Sequence, residues 1–196
     1  MYIPEQMVRG WELRYITPVV WHHHQEITDG DYEGIHASQK RGRAHDITLY
    51  IEHDGLLAVI AKPIYPPGLY RAPSGGLDPG EELEIGAMRE AIEETGLDVQ
   101  LHSYLLRAHV VFAAPCGSIA WTTHVFTATT EAATLAPTDH HEIREARWAA
   151  PSEFVNYSEI MRGADRGGLR YRAALHDQIA HLHPLFQQNS PLKQGS

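Results

Sequence analysis

The chain has 196 residues, 43 % hydrophobic and 21 % charged, which is enough for one domain with a buried core. Its formal net charge of −9 argues against the basic surface that nonspecific nucleic-acid binding needs, and no apolar run approaches the roughly 20 residues of a membrane-spanning helix. Cys116 is the only cysteine, so no intrachain disulfide can form; the start Met1-Tyr2-Ile3-Pro4-Glu5 lacks the features of a secretory signal, and a cytoplasmic location is expected.

Residues 1–43 read as an extension of mixed polarity that carries Pro4, Pro18, Gly30 and Gly34 and ends in Lys40-Arg41-Gly42-Arg43. From His45 the texture changes. Ile47, Leu49 and Ile51 alternate with Thr48 and Tyr50, the period of a strand, and His53-Asp54-Gly55 is a turn before a second strand over Leu56 to Ala61. A loop rich in proline and glycine leads through Leu69-Tyr70-Arg71 to Ser74-Gly75-Gly76. Residues 82–95 have helical periodicity. Strands are expected over 98–106, 108–114, 119–128 and 143–149, then a short helix opened by Pro151-Ser152-Glu153 and a longer one over 169–183. Residues after His183 carry Pro184 and Pro191, and 187–196 are expected as a disordered tail. The expected organisation is an extension (1–43), one domain (44–186) and the tail. Strands before, around and after one central helix predict a mixed α/β sandwich.

On a helical wheel at about 100° per residue, Leu83, Ala87, Met88, Ala91 and Ile92 form an apolar arc expected to face the core. Glu90, Glu93 and Glu94 fall on the opposite arc, with Gly86 expected to leave open space beside them. Glu90 and Glu94 are like charges at i,i+4, and Arg89 offsets only part of the repulsion through Glu93. A bound Mg²⁺ or Mn²⁺, which prefer oxygen ligands, would relieve it. Gly75 and Gly76 are expected to take positive φ or to let backbone approach a ligand. Asp78-Pro79-Gly80-Glu81 fits a type II turn, and Gly96 lies where a left-handed C-cap is needed.

Gly75, then five residues, Glu81, then seven residues, then Arg89-Glu90-Ala91-Ile92-Glu93-Glu94-Thr95-Gly96-Leu97 matches the Nudix box without a gap. Seven fixed residues at roughly 7 % abundance each would coincide by chance in about one window in 10⁸, so the chain resembles the Nudix hydrolase family. The resemblance implies an α/β/α sandwich with a mixed β-sheet around a catalytic loop-helix-loop. It implies metal-dependent hydrolysis of a nucleoside diphosphate linked to another moiety, with Glu90, Glu93 and Glu94 as ligands of Mg²⁺ or Mn²⁺. Arg89 would orient a glutamate, and Gly75 and Gly76 would shape the substrate loop. Ala91 and Gly86 depart from the commoner box residues without removing a charge.

Outside the box, Glu142 in Asp139-His140-His141-Glu142-Ile143 is the candidate general base or additional ligand, with Asp139 and Glu145 as rivals. Arg71 is a candidate phosphate contact beside the glycine loop, or an ordinary surface arginine. Phe112-Ala113-Ala114-Pro115-Cys116-Gly117 and Thr123-His124-Val125-Phe126 are similar to the ADP-ribose and nucleotide-sugar pyrophosphatase branch, whose extension often builds a homodimer. A (d)NTP pyrophosphohydrolase and a non-catalytic nucleotide-sensing regulator are the alternatives, although no box carboxylate is missing and no basic recognition helix is visible. His22-His23-His24 on a strand would point to alternate faces, so a surface or structural role is expected for them and a packing or loop role for Cys116.

Overall fold

The computed structural model describes residues 3–40 and 42–188. Its centre is a seven-stranded mixed sheet in the order β1-β5-β6-β2-β3-β7, with the short β4 also paired to β2. The strands are β1 Val19–Glu26, β2 His45–His53, β3 Leu56–Ala61, β4 Ser74–Gly76, β5 Gln100–Ala114, β6 Gly117–Thr129 and β7 Glu145–Ala149. The helices are α1 Glu5–Tyr15, α2 Asp29–Lys40, α3 Leu83–Thr95, α4 Glu153–Arg162, α5 Gly167–Leu182 and α6 Pro184–Gln188. The β1–β5 and β2–β6 pairs are parallel and the others antiparallel.

β2 shows how the pattern becomes architecture. Ile47, Leu49 and Ile51 enter one apolar cluster with Leu83, Ala87 and Ala91 of α3 and Trp11 and Tyr15 of α1. Tyr50 enters the opposite cluster with Phe154 and Tyr157 of α4 and Leu175 and Ile179 of α5. Both faces of β2 are therefore covered, and the expected α/β/α sandwich is what the chain forms. The β2–β3 turn has positive φ at Asp54 and Gly55, the geometry of a two-residue hairpin loop that follows the strand twist.

Two expectations are corrected. The two strands divided near residue 107 are one strand, β5, with irregular register between Leu101 and Leu106. Arg107, which broke the apolar pattern, lies under α1 and pairs with Glu5 and Glu12 at 3.4 and 3.2 Å. The extension takes part in the sheet and the core: β1 pairs with β5 along eight residues, and Val8, Trp11 and Tyr15 are buried. Finally, residues 187 and 188 belong to α6 rather than to a tail; the rest of that expectation falls on 189–196, outside the described residues.

Candidate active site

The site is built where β4 passes beneath α3. Gly75 of β4 faces Ile47 of β2 in the ladder, so the glycine pair has extended strand geometry and not the positive φ expected for it. Close approach is the operative reason for glycine here. A Cβ at Gly75 would lie 1.8 Å from the Glu90 carboxylate, and one at Gly76 would lie 2.9 Å from Cδ of Arg43. The turn before α3 is as expected: Gly80 has φ +80°, and the Glu81 N–H donates to the Asp78 carbonyl at 3.0 Å. Gly96 is left-handed and caps α3 through its N–H to the Ile92 carbonyl.

The buried face of α3 is not the apolar arc drawn from the sequence. Met88 and Ile92 are exposed, whereas Gly86, Ala87, Ala91, Glu90 and Glu94 are buried. Small residues let the helix sit close to the loop, and that closeness brings two carboxylates inward. Nor does Gly86 leave open space, because Leu77 and Glu81 would meet its Cβ at 2.5 and 2.9 Å.

Each carboxylate has a defined holder. Arg89 donates to both oxygens of Glu81 at 2.9 and 3.0 Å, to the Gly76 carbonyl at 3.0 Å, to Glu90 at 2.6 Å and to Glu93 at 3.2 Å. Hydrogen bonding from Arg89 holds the Glu81 carboxyl below its usual range. Glu94 accepts from the Ser74 N–H at 2.7 Å and from Arg71. Burial pushes the Glu90 carboxyl up to about 7; Arg89 opposes the shift, and the Glu94 and Glu93 charges add to it. Glu93 is the most open of the three.

Arg71 is placed differently from either reading of it. It is buried, at 3 % exposure, and spends its donors on Glu94, Ser74, the Ala72 carbonyl and the Tyr65 hydroxyl. Burial alone would lower its pKa, but Glu94 and Tyr65 outweigh that and raise it. Arg71 thus positions a glutamate and is not free for a phosphate.

The 136–142 loop latches onto the end of α3. The N–H groups of Thr138 and Asp139 both donate to the Glu93 carbonyl, at 3.1 and 3.0 Å. Oδ1 of Asp139 accepts the N–H groups of His141 and Glu142 at 3.0 Å each, bonds that hold its carboxyl below the usual range. Glu142 reaches back to Lys62 Nζ at 2.5 Å, and Lys62 lies 3.8 Å from Glu94. Glu90, Glu93, Glu94, Asp139 and Glu142 all line one cavity of about 300 Å³, with Arg43, Lys62 and Arg89 as its cations. Glu145 does not: it accepts from the Tyr70 hydroxyl at 2.8 Å, away from the cavity.

Sequence reasoning missed Lys62 and the part played by Arg43. A lone lysine at the end of a strand and one member of a basic run carry no local signal of a site. His22 and His24 project from the opposite face of β1 to His23, which stacks on Trp21, and none of them lies near the carboxylates. Cys116 is exposed in the turn between β5 and β6, the loop alternative of its two expected roles.

Among the described residues no three His, Cys, Asp or Glu side chains converge closely enough to hold an ion; the carboxylates answer Arg71, Arg89 and Lys62 instead. The donor set nevertheless fits a hard divalent cation: all its acidic donors are oxygens, they share one cavity, and Gly75 keeps Glu90 unobstructed.

The family model of the NUDIX domain matches residues 40–168. Among solved structures, a Nudix hydrolase from Nitrosomonas europaea is 20 % identical with a TM-score of 0.50, covering 74 % of this chain and 70 % of that one. A UDP-X diphosphatase (17 % identical, TM-score 0.46, 74 % and 72 % covered) and a Nudix-family hydrolase from Clostridium perfringens (16 %, 0.45, 70 % and 98 %) are fainter likenesses, and only the first is near enough to support the fold. With the family model spanning most of the sheet and the whole loop-helix-loop, the chain belongs to the Nudix family and is a pyrophosphohydrolase.

Proposed function

We propose that the chain hydrolyses a nucleoside diphosphate linked to another moiety, with ADP-ribose and nucleotide sugars as the candidate substrates and Mg²⁺ or Mn²⁺ as the cation. One observation carries this reading: five carboxylates and three cationic side chains line a single cavity over the box helix. Glu90, Glu93 and Glu94 would hold the cation, which when bound neutralises diphosphate charge and acidifies a water. The remaining work falls to the chain's own residues. Arg71 and Ser74 fix Glu94, and Arg89 fixes Glu90 against Gly75. Arg43 and Lys62 offer positive charge to phosphate oxygens at the cavity wall.

Glu142 is the general base in this reading. Asp139 is occupied with two backbone donors, whereas Glu142 makes only a side-chain ion pair with Lys62 and can turn toward a water. The (d)NTP reading stays as the alternative substrate class, and the non-catalytic regulator is disfavoured because every box carboxylate is retained. No helix among the described residues is long and apolar enough to cross a membrane. A cytoplasmic place and a homodimer through the outer edge of β1, where Val19 and Val20 are exposed, belong to the same proposal.

The deciding experiment is a panel of nucleotide derivatives with Mg²⁺ or Mn²⁺, products identified by mass, run on the parent and on Glu142→Gln. We expect one nucleoside diphosphate derivative to be cleaved, with kcat strongly reduced and KM near parental in the variant. Parental turnover by Glu142→Gln would return the loop to the surface, and failure to cleave any of the panel would remove the hydrolase reading.

A further inference from the structure

The catalytic cavity does not end at the carboxylates. Lys62 and Ser74 also line a second cavity of about 310 Å³, whose other walls include Tyr65, Arg166 and Arg172. Gly168 and Arg172 in turn line a third, of about 280 Å³, with Phe112, Trp121 and Tyr171. The second cavity thus shares lining residues with the carboxylate cavity on one side and with a cavity lined by aromatic residues and Asp46 on the other.

The middle compartment is out of keeping with a chain of net charge −9. Lys62, Arg71, Arg166 and Arg172 all line it, against the single carboxylate of Asp31. Asp31 is turned to backbone: its Oδ2 accepts the Gly167 N–H at 3.0 Å and the Thr28 N–H at 3.4 Å. Three of the cations already answer a carboxylate. Arg71 pairs with Glu94, Lys62 with Glu142, and Arg172 with Asp46 at 3.1 Å. Arg166 is different. Its carbonyl is fixed by the N–H groups of Leu169 and Arg170, yet no ion pair or side-chain hydrogen bond engages its guanidinium among the described residues. Among the described residues Arg172 uses one N–H on Thr48 and one on Asp46, which leaves three of its five donors uncommitted.

An anion is what this arrangement is short of. A guanidinium fork matches a phosphate, and such charge-assisted bonds are the strong ones. We propose that the middle compartment is a subsite for a second phosphate of the substrate, carried beyond the diphosphate that is cleaved. Arg166 is its principal ligand and Arg172 supports it. The preferred substrate class is then a nucleoside diphosphate derivative that carries a further phosphate, which narrows the proposed class and sets ADP-ribose and simple nucleotide sugars, which lack one, behind it. This inference rests on the proposed hydrolase function only for its polarity, the other phosphate lying at the carboxylate cavity.

The test is calorimetric binding to the full chain in Mg²⁺ of adenosine 5′-monophosphate and adenosine 3′,5′-bisphosphate, neither of which has an anhydride to cleave. The bisphosphate should bind about tenfold more tightly, the value of one charge-assisted contact. Arg166→Ala should erase that advantage while leaving the monophosphate affinity within about twofold, as for a surface change. Arg166 is exposed, so the variant should fold, and its melting temperature checks this. Arg9→Ala, an exposed arginine of α1, should leave the advantage intact. Equal affinities in the parent, or an advantage that survives Arg166→Ala, would overturn the subsite. A protein that shows the advantage yet cleaves no anhydride would keep the subsite and lose the hydrolase reading; one that cleaves without the advantage would do the reverse.

Discussion

Arg71 and Glu94 meet 23 residues apart, with Nη2 donating to Oε1 at 2.9 Å and Nη1 to Oε2 at 3.4 Å. Both are buried, at 3 % and 4 % exposure. A buried pair of this kind does little net good for stability but is costly to break from one side. Arg71→Met should therefore lower unfolding free energy by about 3–5 kcal/mol and turnover with it, since Glu94 loses its placement. Denaturant unfolding and kcat on the same preparation decide the matter; a stable, fully active variant would show that the pair positions nothing.

Gly75→Ala separates the two effects. Its Cβ would stand where the Glu90 carboxylate is, and that carboxylate is the movable end of a side chain. We expect a folded protein, destabilised by about 1–3 kcal/mol, whose turnover falls by about a hundredfold or more. Parental kcat would mean that the position of Glu90 is immaterial.

Glu93 and Glu94 should behave differently on substitution to Gln. Glu93 is half open and Glu94 is buried on Arg71. Both changes should cost about a hundredfold or more in turnover, but only Glu94→Gln should lower the melting temperature clearly, because it leaves Arg71 charged and unanswered. Divalent cation should raise the melting temperature of the parent relative to chelator, and raise it less in either variant. Equal midpoints with and without cation in the parent would speak against a metal on this helix.

Acid should loosen the α4–α5 side of the sheet. Burial, with Arg172 and Arg71 adding to it, lowers His176 to about 3, and burial lowers His183 to about 4. Both are neutral in the fold but take a proton near 6.5 once unfolded. Their contribution is thus complete above about pH 6.5 and is lost as pH falls toward 4 to 3, where the folded state also begins to protonate. Each adds a slope of about 1.4 kcal/mol per pH unit inside that window. Denaturant unfolding at several pH values between 7 and 4 should give a shallower decline for His176→Leu than for the parent; parallel declines would refute the assignment.

What could be read in the sequence was what local chemistry decides. Pro79-Gly80, Gly96 and Asp54-Gly55 demand their turns whatever lies around them, so the loop-helix-loop and the hairpin were legible. What escaped depends on partners far along the chain. Nothing near Val19 announces its pairing with Leu106, and nothing near Arg71 announces Glu94. The buried side of α3 was misread for a related reason. Apolar periodicity pointed to Met88 and Ile92, whereas the close approach of β4 gives the inner side to alanines and carboxylates. Glu142 could be singled out as a candidate because its loop precedes a strand, whereas Lys62 could not, because its place beside that loop comes only from the chain folding back.

The limits of the family match, residues 40–168, bear on how the chain can be divided. A fragment trimmed to them would lack β1 and nearly all of α5, which together carry the outer partner of β5 and the buried Leu169, Tyr171, Leu175 and Ile179. The stripped flank of β5 would offer unpaired N–H and C=O groups as a template for strand addition by neighbouring molecules. Such a fragment would keep every carboxylate of α3 and is still expected to aggregate. Its inactivity would then report on an uncovered sheet and say nothing about the chemistry.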